Sequence, residues 1–163
     1  MSQDERLNAM LLPLRDAQLL LPNLAMADAL AASELRPAAD GAPDWLAGWI
    51  VWQSLDLPVL HFERLHGSGL AVSGRRARVV VLKPANASTG LPRCGLLCDG
   101  HPQLLSLRRD TIEALPLRAS DVAELVLARV RVDGREALIP DLAAIEARLA
   151  ALLEAGAAVA SAS

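Results

Sequence analysis

The feature that most constrains the fold is a succession of short apolar segments of strand length, separated by turn signals every roughly 6 to 12 residues. Segments this short, bounded by Gly, Pro, Asn or Asp, are typical of β-sheet. The pattern therefore predicts a mainly β fold of barrel architecture. Strands are predicted at residues 7–14, 18–21, 35–38, 47–52, 55–62, 77–82, 93–99, 103–107, 123–132 and 135–139.

Two segments predict helix instead. Residues 24–32 are rich in Ala, Leu and Met, which favours about two helical turns. Near the C-terminus an apolar stripe recurs at spacings of three and four, which indicates one face of a longer helix. This stripe consists of Leu142, Ile145, Leu149 and Leu152. Asp141 is the expected N-cap, and Gly156 is expected to end the helix and leave residues 157–163 as a frayed tail.

The sequence signals for turns differ in strength along the chain. Asp133-Gly134 is a strong two-residue hairpin signal, whereas Gln53-Ser54, between the strands at 47–52 and 55–62, is not a favoured hairpin turn. Pro58 within the second of these strands suggests a sheet edge or a bulge. The Gly- and Ser-rich loop at residues 66–76 is expected to separate a first barrel from a second.

The aromatic side chains are few and clustered. Trp45, Trp49, Trp52 and Phe62 all fall within 18 consecutive positions, so we expect this segment to organise the core or a contact surface. Trp49 and Trp52 are three apart and face opposite sides of a strand. We expect Trp45 and Trp49 in the core and Trp52 or its neighbour Gln53 at a partner groove, with burial of all three rings as the alternative.

The charge distribution excludes little but favours protein partners over nucleic acid. Residues 1–65 carry 4 basic and 9 acidic side chains, and residues 66–136 carry 11 basic and 7 acidic ones. We interpret the arginines of residues 75–78 as a solvated loop, because aromatic side chains for base stacking are nearly absent there. The N-terminus lacks a signal-peptide pattern, and no apolar run approaches membrane-spanning length, which predicts a cytoplasmic location without membrane insertion.

No catalytic or metal-binding motif emerges. Cys94 and Cys98 are followed by Asp99 and His101, but this spacing matches zinc sites loosely, and alternation places both thiols on one buried strand face. The serines lack a nucleophile motif, and the histidines share no ligand motif. We therefore expect no enzyme activity, no metal and no cofactor.

The segment from Pro43 to Phe62 resembles the central block of CheW-like chemotaxis adaptor domains. Gly48, Ile50, Pro58 and Val59 match that block in register without a gap. Further similarity extends over about residues 7–153. It comprises the L-P steps at residues 12–14 and 21–23, the strand at residues 94–99, and the entry into the terminal helix at residues 137–142.

The resemblance implies a single CheW-like domain of two interlocked SH3-like five-stranded barrels with a hydrophobic core between them. Subdomain one would span about 7–65 plus C-terminal elements, and subdomain two about 75–135. It also implies a non-catalytic adaptor that couples the cytoplasmic tip of a chemoreceptor to a CheA-type histidine kinase. The oligomeric state, the receptor and the controlled behaviour stay open.

The departures from the family pattern bear on partner binding. Val51 replaces the family's Asn, Gln53-Ser54 replaces an Arg-Gly pair that helps set partner contacts, and His61 replaces an Asp. The G-W-I-x-W and L-P-N features look closer to ChpC-type proteins of type IV pilus systems. A CheW-like regulator or competitor that has lost receptor or kinase coupling is the alternative function. The candidate partner-binding residues are Trp49, Trp52, Gln53, Ser54, Leu57 and Pro58.

Overall fold

The computed structural model of the chain describes residues 6–15, 17–66, 74–84, 93–119 and 121–160, with side chains as far as residue 155. Twelve strands are seen among these residues. They are β1 (Arg6–Pro13), β2 (Gln18–Pro22), β3 (Met26–Ala31), β4 (Arg36–Pro37), β5 (Leu46–Trp52), β6 (Leu55–Leu60), β7 (Ala77–Leu82), β8 (Gly95–Asp99), β9 (Gln103–Arg108), β10 (Glu113–Leu115), β11 (Val126–Val132) and β12 (Arg135–Pro140). The helices are α1 (Phe62–His66) and α2 (Leu142–Ala160), and single 3₁₀ turns lie at Asn23–Ala25, Ala32–Glu34 and Arg109–Thr111.

The strands form two six-stranded sheets. Sheet one has the order β10-β11-β12-β2-β1-β9, and sheet two has the order β3-β7-β8-β6-β5-β4. All neighbours are antiparallel except β12–β2 and β6–β8, which are parallel. The mainly β fold with two sheets and a C-terminal helix is confirmed, although each sheet contains six strands and not the five expected of each barrel.

The sheets divide the chain at places other than the loop at residues 66–76. Strands β1 and β2 join β9–β12 in sheet one, while β3–β8 form sheet two. The chain therefore crosses between sheets around residues 23–25 and 100–102. The loop at residues 66–76, most of which lies outside the described residues, connects two parts of sheet two. The cause is the parallel pairing of β6 with β8, which keeps both sides of that loop in one sheet.

The two sheets have the same pattern of strand pairing, but the corresponding strands follow one another along the chain in circularly permuted order. The hairpin β5–β6 and the hairpin β11–β12 have identical registers, with each residue matched by one 80 positions later. Trp52 opposes Leu55 as Val132 opposes Arg135. Each hairpin also carries a register shift at its first strand, between Leu46 and Gly48 in one and between Val126 and Ala128 in the other. Each hairpin is followed at once by a helix, α1 or α2.

The main core lies between the sheets and draws on both. Leu12 and Leu19 of sheet one pack in one cluster with Leu57 and Val59 of sheet two, and the buried face of α2 joins it through Ile145. A second, smaller cluster belongs to sheet one alone. Strands β1 and β2 of sheet one are therefore buried on both faces, which explains why residues 9–12 read as a continuous apolar run.

Two helix predictions need correction. Residues 24–32 form a 3₁₀ turn and strand β3, because β3 pairs along β7 and these ladder hydrogen bonds override the helix propensity of Ala and Leu. Asp141 is the N-cap as expected, since its Oδ1 accepts a hydrogen bond of 3.1 Å from the amide of Ala144. Helix α2, however, continues through Gly156 to Ala160, so Gly156 does not end the helix, and residues 161–163 of the expected tail lie outside the described residues.

Pro58 does not lie at an edge. Strand β6 is interior to sheet two, between β5 and β8. β8 pairs with β6 at Val59 and Leu60, so the ladder with β8 requires no N–H from Pro58. Among the described residues, no helix is both long enough and apolar enough to cross a membrane.

Candidate protein-interaction hairpin

The turn of the β5–β6 hairpin is exposed and strained. Gln53 and Ser54 have φ angles of 48° and 65°, so both occupy the left-handed region that a type I′ turn requires. Neither residue is a glycine, and such conformations cost non-glycine residues about 1–2 kcal/mol each. Strain of this kind persists only where the surrounding structure holds it, and it is often found at binding sites. Both predicted tip residues are therefore presented to solvent on a rigid turn.

The six predicted partner residues separate into three groups. Gln53 and Ser54 form the exposed tip. Trp52 and Leu57 point to the main core, and Leu57 is fully buried. Trp49 and Pro58 oppose each other on the other face of the hairpin. The fold thus does not bring all six to one surface, because alternate residues of a strand face opposite sides.

Trp52 lies in the core and not in an open groove. Its side chain is 6% exposed, and its indole Nε1–H donates a hydrogen bond of 2.8 Å to Oδ2 of Asp28. The guanidinium of Arg93 lies over the ring, 4.9 Å from its centroid, which is within cation–π range. Trp45 and Trp49, which were expected in the core, are only partly buried. The sequence-based assignment of the rings is therefore corrected: strand alternation places Ile50 and Trp52, and not Trp49, on the core side.

The outward side of the hairpin is mainly apolar. Val51, which opposes Asp56, is 57% exposed on this side, whereas Leu55 opposes Trp52 and is 48% exposed on the other side. One ion pair, between Arg36 of β4 and Asp56, lies beside Val51 and carries no net charge. Val51, Leu55 and Arg36 are not among the six predicted partner-binding residues. The Arg36–Asp56 pair joins residues that are 20 positions apart on different strands, so no local sequence pattern predicts it.

Gly48 permits the close approach of β4 to this hairpin. Its φ is 154°, and a Cβ atom there would lie 1.9 Å from the backbone oxygen of Arg36. No side chain fits at that distance, so the glycine of the G-W-I-x-W pattern is required by the backbone of β4. The match of Gly48 to the family register therefore has a steric cause.

A buried ionic cluster lies near the second hairpin. Arg129 of β11 donates to both carboxylate oxygens of Asp121, at 2.9 and 2.7 Å, and to Oε2 of Glu136 at 3.2 Å. The side chains of Arg129 and Asp121 are 12% and 1% exposed. The hydrogen bond from Arg129 lowers the pKa of Asp121. These side chains, with His66 and Gln18, line a cavity of about 370 Å³.

Burial shifts the pKa of both cysteines and of two of the histidines. Burial raises the pKa of both Cys94 and Cys98 to about 12, so both thiols are protonated and unreactive at neutral pH. Burial also lowers the pKa of His61 and of His66. In the part of the chain that the structure describes, no three His, Cys, Asp or Glu side chains are grouped as metal ligands.

Comparison with known proteins identifies the fold. The family model for the CheW-like domain matches residues 8–149, most of the chain. The chain belongs to the CheW-like domain family. Its structure is also similar to the crystal structure of the scaffolding protein TtCheW from Thermoanaerobacter tengcongensis, with a TM-score of 0.70 and 14% sequence identity over 84% of this chain and 85% of that one. The search of curated proteins gave no match.

The family match and the structural similarity support different conclusions. At 14% identity the similarity to TtCheW shows the shared fold alone, while the family match carries the assignment. A CheW-like domain implies an adaptor role in chemotaxis signalling, with other proteins as partners. The sequence resemblance to this family is therefore confirmed. The ChpC-type subfamily stays a prediction.

Proposed function

We propose that this chain is a non-enzymatic cytoplasmic adaptor that links the cytoplasmic tip of a chemoreceptor to a CheA-type histidine kinase. The observation that carries the proposal is the exposed, strained turn at Gln53 and Ser54, at the position where the family places its partner-contacting Arg-Gly pair. A fixed turn on a rigid hairpin presents the same shape to each partner and loses little conformational entropy on binding.

The chemistry of the hairpin favours apolar contacts. Val51 and Leu55 are exposed, and the nearby Arg36–Asp56 ion pair carries no net charge. Interface affinity is usually concentrated in a few well-packed anchors surrounded by polar groups that exclude water. We therefore assign the anchor role to Val51 and Leu55, with Gln53 and Ser54 as hydrogen-bonding groups at the tip.

The position of Trp52 gives it an indirect role in this proposal. Its ring fixes the end of β5 through Asp28 and Arg93 and so holds the turn in place. Replacement by Ala is expected to cost about 3–5 kcal/mol of stability, as for other buried aromatic residues. Trp52→Ala is therefore a poor probe of binding, and the exposed residues are better ones.

A second candidate is a CheW-like regulator or competitor that binds one partner and not the other. The observation that favours it is the same turn, because Gln53 lacks the charge, and Ser54 the backbone freedom, of the family's Arg-Gly pair. We further propose a role in a type IV pilus and twitching-motility system. That step rests on the G-W-I-x-W and L-P-N features.

The deciding experiment is a pull-down of the purified chain, done separately against the regulatory domain of a CheA-type kinase and against a receptor-tip fragment. Binding to both supports the adaptor, binding to one supports the regulator, and binding to neither overturns both. The matched variants are Gln53→Ala and Asp133→Ala, which alter the equivalent first turn residue of the two hairpins. We expect Gln53→Ala to weaken capture at least about tenfold, as for an interface hot spot, and Asp133→Ala to leave it unchanged.

A further inference from the structure

His66 connects the end of α1 to the turn that precedes β11. Its imidazole is 4% exposed and is stacked on Phe62, with ring centroids 5.3 Å apart. The backbone N–H of Val122 donates a hydrogen bond of 3.0 Å to its Nε2. Val122 belongs to the turn at residues 121–125, which we call the Asp121 turn. This hydrogen bond joins two segments 56 residues apart, one following sheet two and one leading into sheet one.

The hydrogen bond requires neutral histidine. A backbone N–H can only donate, so Nε2 of His66 must accept, and the ring proton must reside on Nδ1. Nδ1 is buried and has no hydrogen-bond partner among the described residues. Protonation would place a second N–H at Nε2, directed at the Val122 N–H. The contact would then change from attractive to repulsive.

The two nearest charged groups act in opposite directions on the protonated form of His66, because Asp121 favours it and Arg129 disfavours it. Oδ1 of Asp121 lies 3.9 Å from Nε2, beyond hydrogen-bond distance, and already accepts from Arg129. Arg129 on β11 opposes a second positive charge. Glu63 on α1 and Glu136 on β12 line the same cavity, as does Arg118, which is paired with Glu136. A protonated His66 would have to turn toward Asp121 and abandon Val122.

We propose that His66 is an acid-sensitive latch, which holds the Asp121 turn against α1 while neutral and releases the turn when protonated. The latch has two discrete arrangements, with Nε2 accepting from Val122 or donating to Asp121. It acts at the contact between the β5–β6 side of the molecule and the β11–β12 side. The proposal does not depend on which partner the hairpin binds.

The direction of the pH dependence follows from the burial of the ring. Desolvation holds the pKa of folded His66 below its ordinary value of 6.5. The unfolded chain therefore binds this proton at higher pH than the folded chain does. The stability contributed by neutral His66 is complete above about pH 6.5 and is lost as the pH falls toward the lowered pKa of the folded state.

The test is amide hydrogen exchange of the intact chain, followed by NMR at pH 7.5 and at pH 5. We expect the protection factor of the Val122 amide to fall at least about tenfold on acidification, while the Ile145 amide in α2 stays protected. His66→Gln supplies an acceptor that does not titrate and should remove the effect. His61→Gln is the matched control, because His61 also has a pKa lowered by burial but, among the described residues, makes no hydrogen bond to Val122.

Any one of three results would overturn the latch. The first is an equal loss of Val122 protection in wild type and in His66→Gln. The second comes from wild type alone and does not require the variant to fold: a ¹⁵N spectrum at pH 7.5 showing the neutral His66 proton on Nε2. Unchanged Val122 protection in wild type down to pH 5, with the ring shown to titrate, would also contradict it.

Discussion

The hairpins β5–β6 and β11–β12 have the same backbone pairing but different outward side chains, which are mainly apolar in the first and charged in the second. They have the same register, the same early register shift and the same two-residue turn with positive φ at both positions. On their outward faces, Trp49 and Val51 of the first correspond to Arg129 and Arg131 of the second. The comparison shows that the backbone frame is set by pairing and turn geometry, while the outward residues decide what each hairpin can contact.

The charged side chains of the β11–β12 hairpin form ion pairs with other residues of this chain. Arg131 pairs with Glu113 and Glu136, and Arg129 pairs with Asp121 and Glu136. These ion pairs stay within sheet one and the turn that leads into it. Among the described residues, the outward side of β5–β6 has a single ion pair, which lies beside exposed Val51. We infer that the first hairpin is the one adapted to an external partner and that the second is adapted to stabilise the fold.

The largest expected effect comes from breaking the buried ion pair of the second hairpin. Arg129→Met leaves the carboxylate of Asp121 buried without its bidentate partner, which costs about 3–5 kcal/mol. Chemical denaturation monitored by circular dichroism measures the loss. Arg131→Met is the matched control, and since Arg131 is 43% exposed we expect a change below about 1 kcal/mol. Equal losses for both variants would show that burial does not distinguish the two arginines.

The next largest effect is expected from substitutions at the two register shifts, which test whether Gly48 and its counterpart Ala128 are equivalent. Gly48→Ala places a Cβ against the backbone oxygen of Arg36 and should destabilise the chain by about 3 kcal/mol or more. Its counterpart Ala128→Gly should cost only about 0.5–1 kcal/mol, through chain entropy. Thermal unfolding of both variants gives the comparison. A Gly48→Ala variant as stable as wild type would contradict the close approach of β4.

A smaller effect should appear when the two turns exchange residues. Ser54→Gly relieves a serine held at a φ of 65° and should stabilise the chain by about 1 kcal/mol. Gly134→Ser introduces the same strain in the second hairpin, where φ is 73°, and should destabilise by a similar amount. Differential scanning calorimetry measures both. Stabilisation by Ser54→Gly with weaker partner capture would indicate that the strained serine is retained for binding.

The smallest expected effect on folding is also the sharpest test of function. Val51→Arg copies the counterpart Arg131 onto the exposed face of the first hairpin, and the free energy of unfolding should change by less than about 0.5 kcal/mol. Binding to the kinase domain or receptor tip, measured by isothermal titration calorimetry, should nevertheless weaken at least about tenfold. Leu127→Arg is the control on the second hairpin, because Leu127 is equally exposed there. Unchanged affinity for Val51→Arg would remove this face from the interface.

Local sequence signals were sufficient for most strands and for the family. Both hairpins form where the sequence predicted them, and Gly48, Ile50, Pro58 and Val59 hold the register on which the resemblance rested. The N-cap at Asp141 and the stripe along α2 were also readable. These features depend on spacing within a few residues, which a sequence displays directly.

The sequence predicted that the side chains of β5 alternate between two faces, but it did not predict which face is buried. The sequence placed Trp49 and Trp52 on opposite sides of a strand, as they are, yet only packing against the rest of sheet two and Asp28 decided that Trp52 faces inward. Ring size alone favoured burial of all the tryptophans. The helix expected at 24–32 became β3 for the same reason, since a long-range partner strand outweighed local propensity.

The sequence by itself therefore determined most of the strand segments, both hairpin turns and the family of this protein. The tertiary structure decided which segments share a sheet, which face of each hairpin is buried, and which distant side chains meet: Asp28 with Trp52, Arg36 with Asp56, and His66 with Val122. The physical reason is that such contacts gain their energy only after distant parts of the chain have paired and excluded water. No local pattern records that pairing.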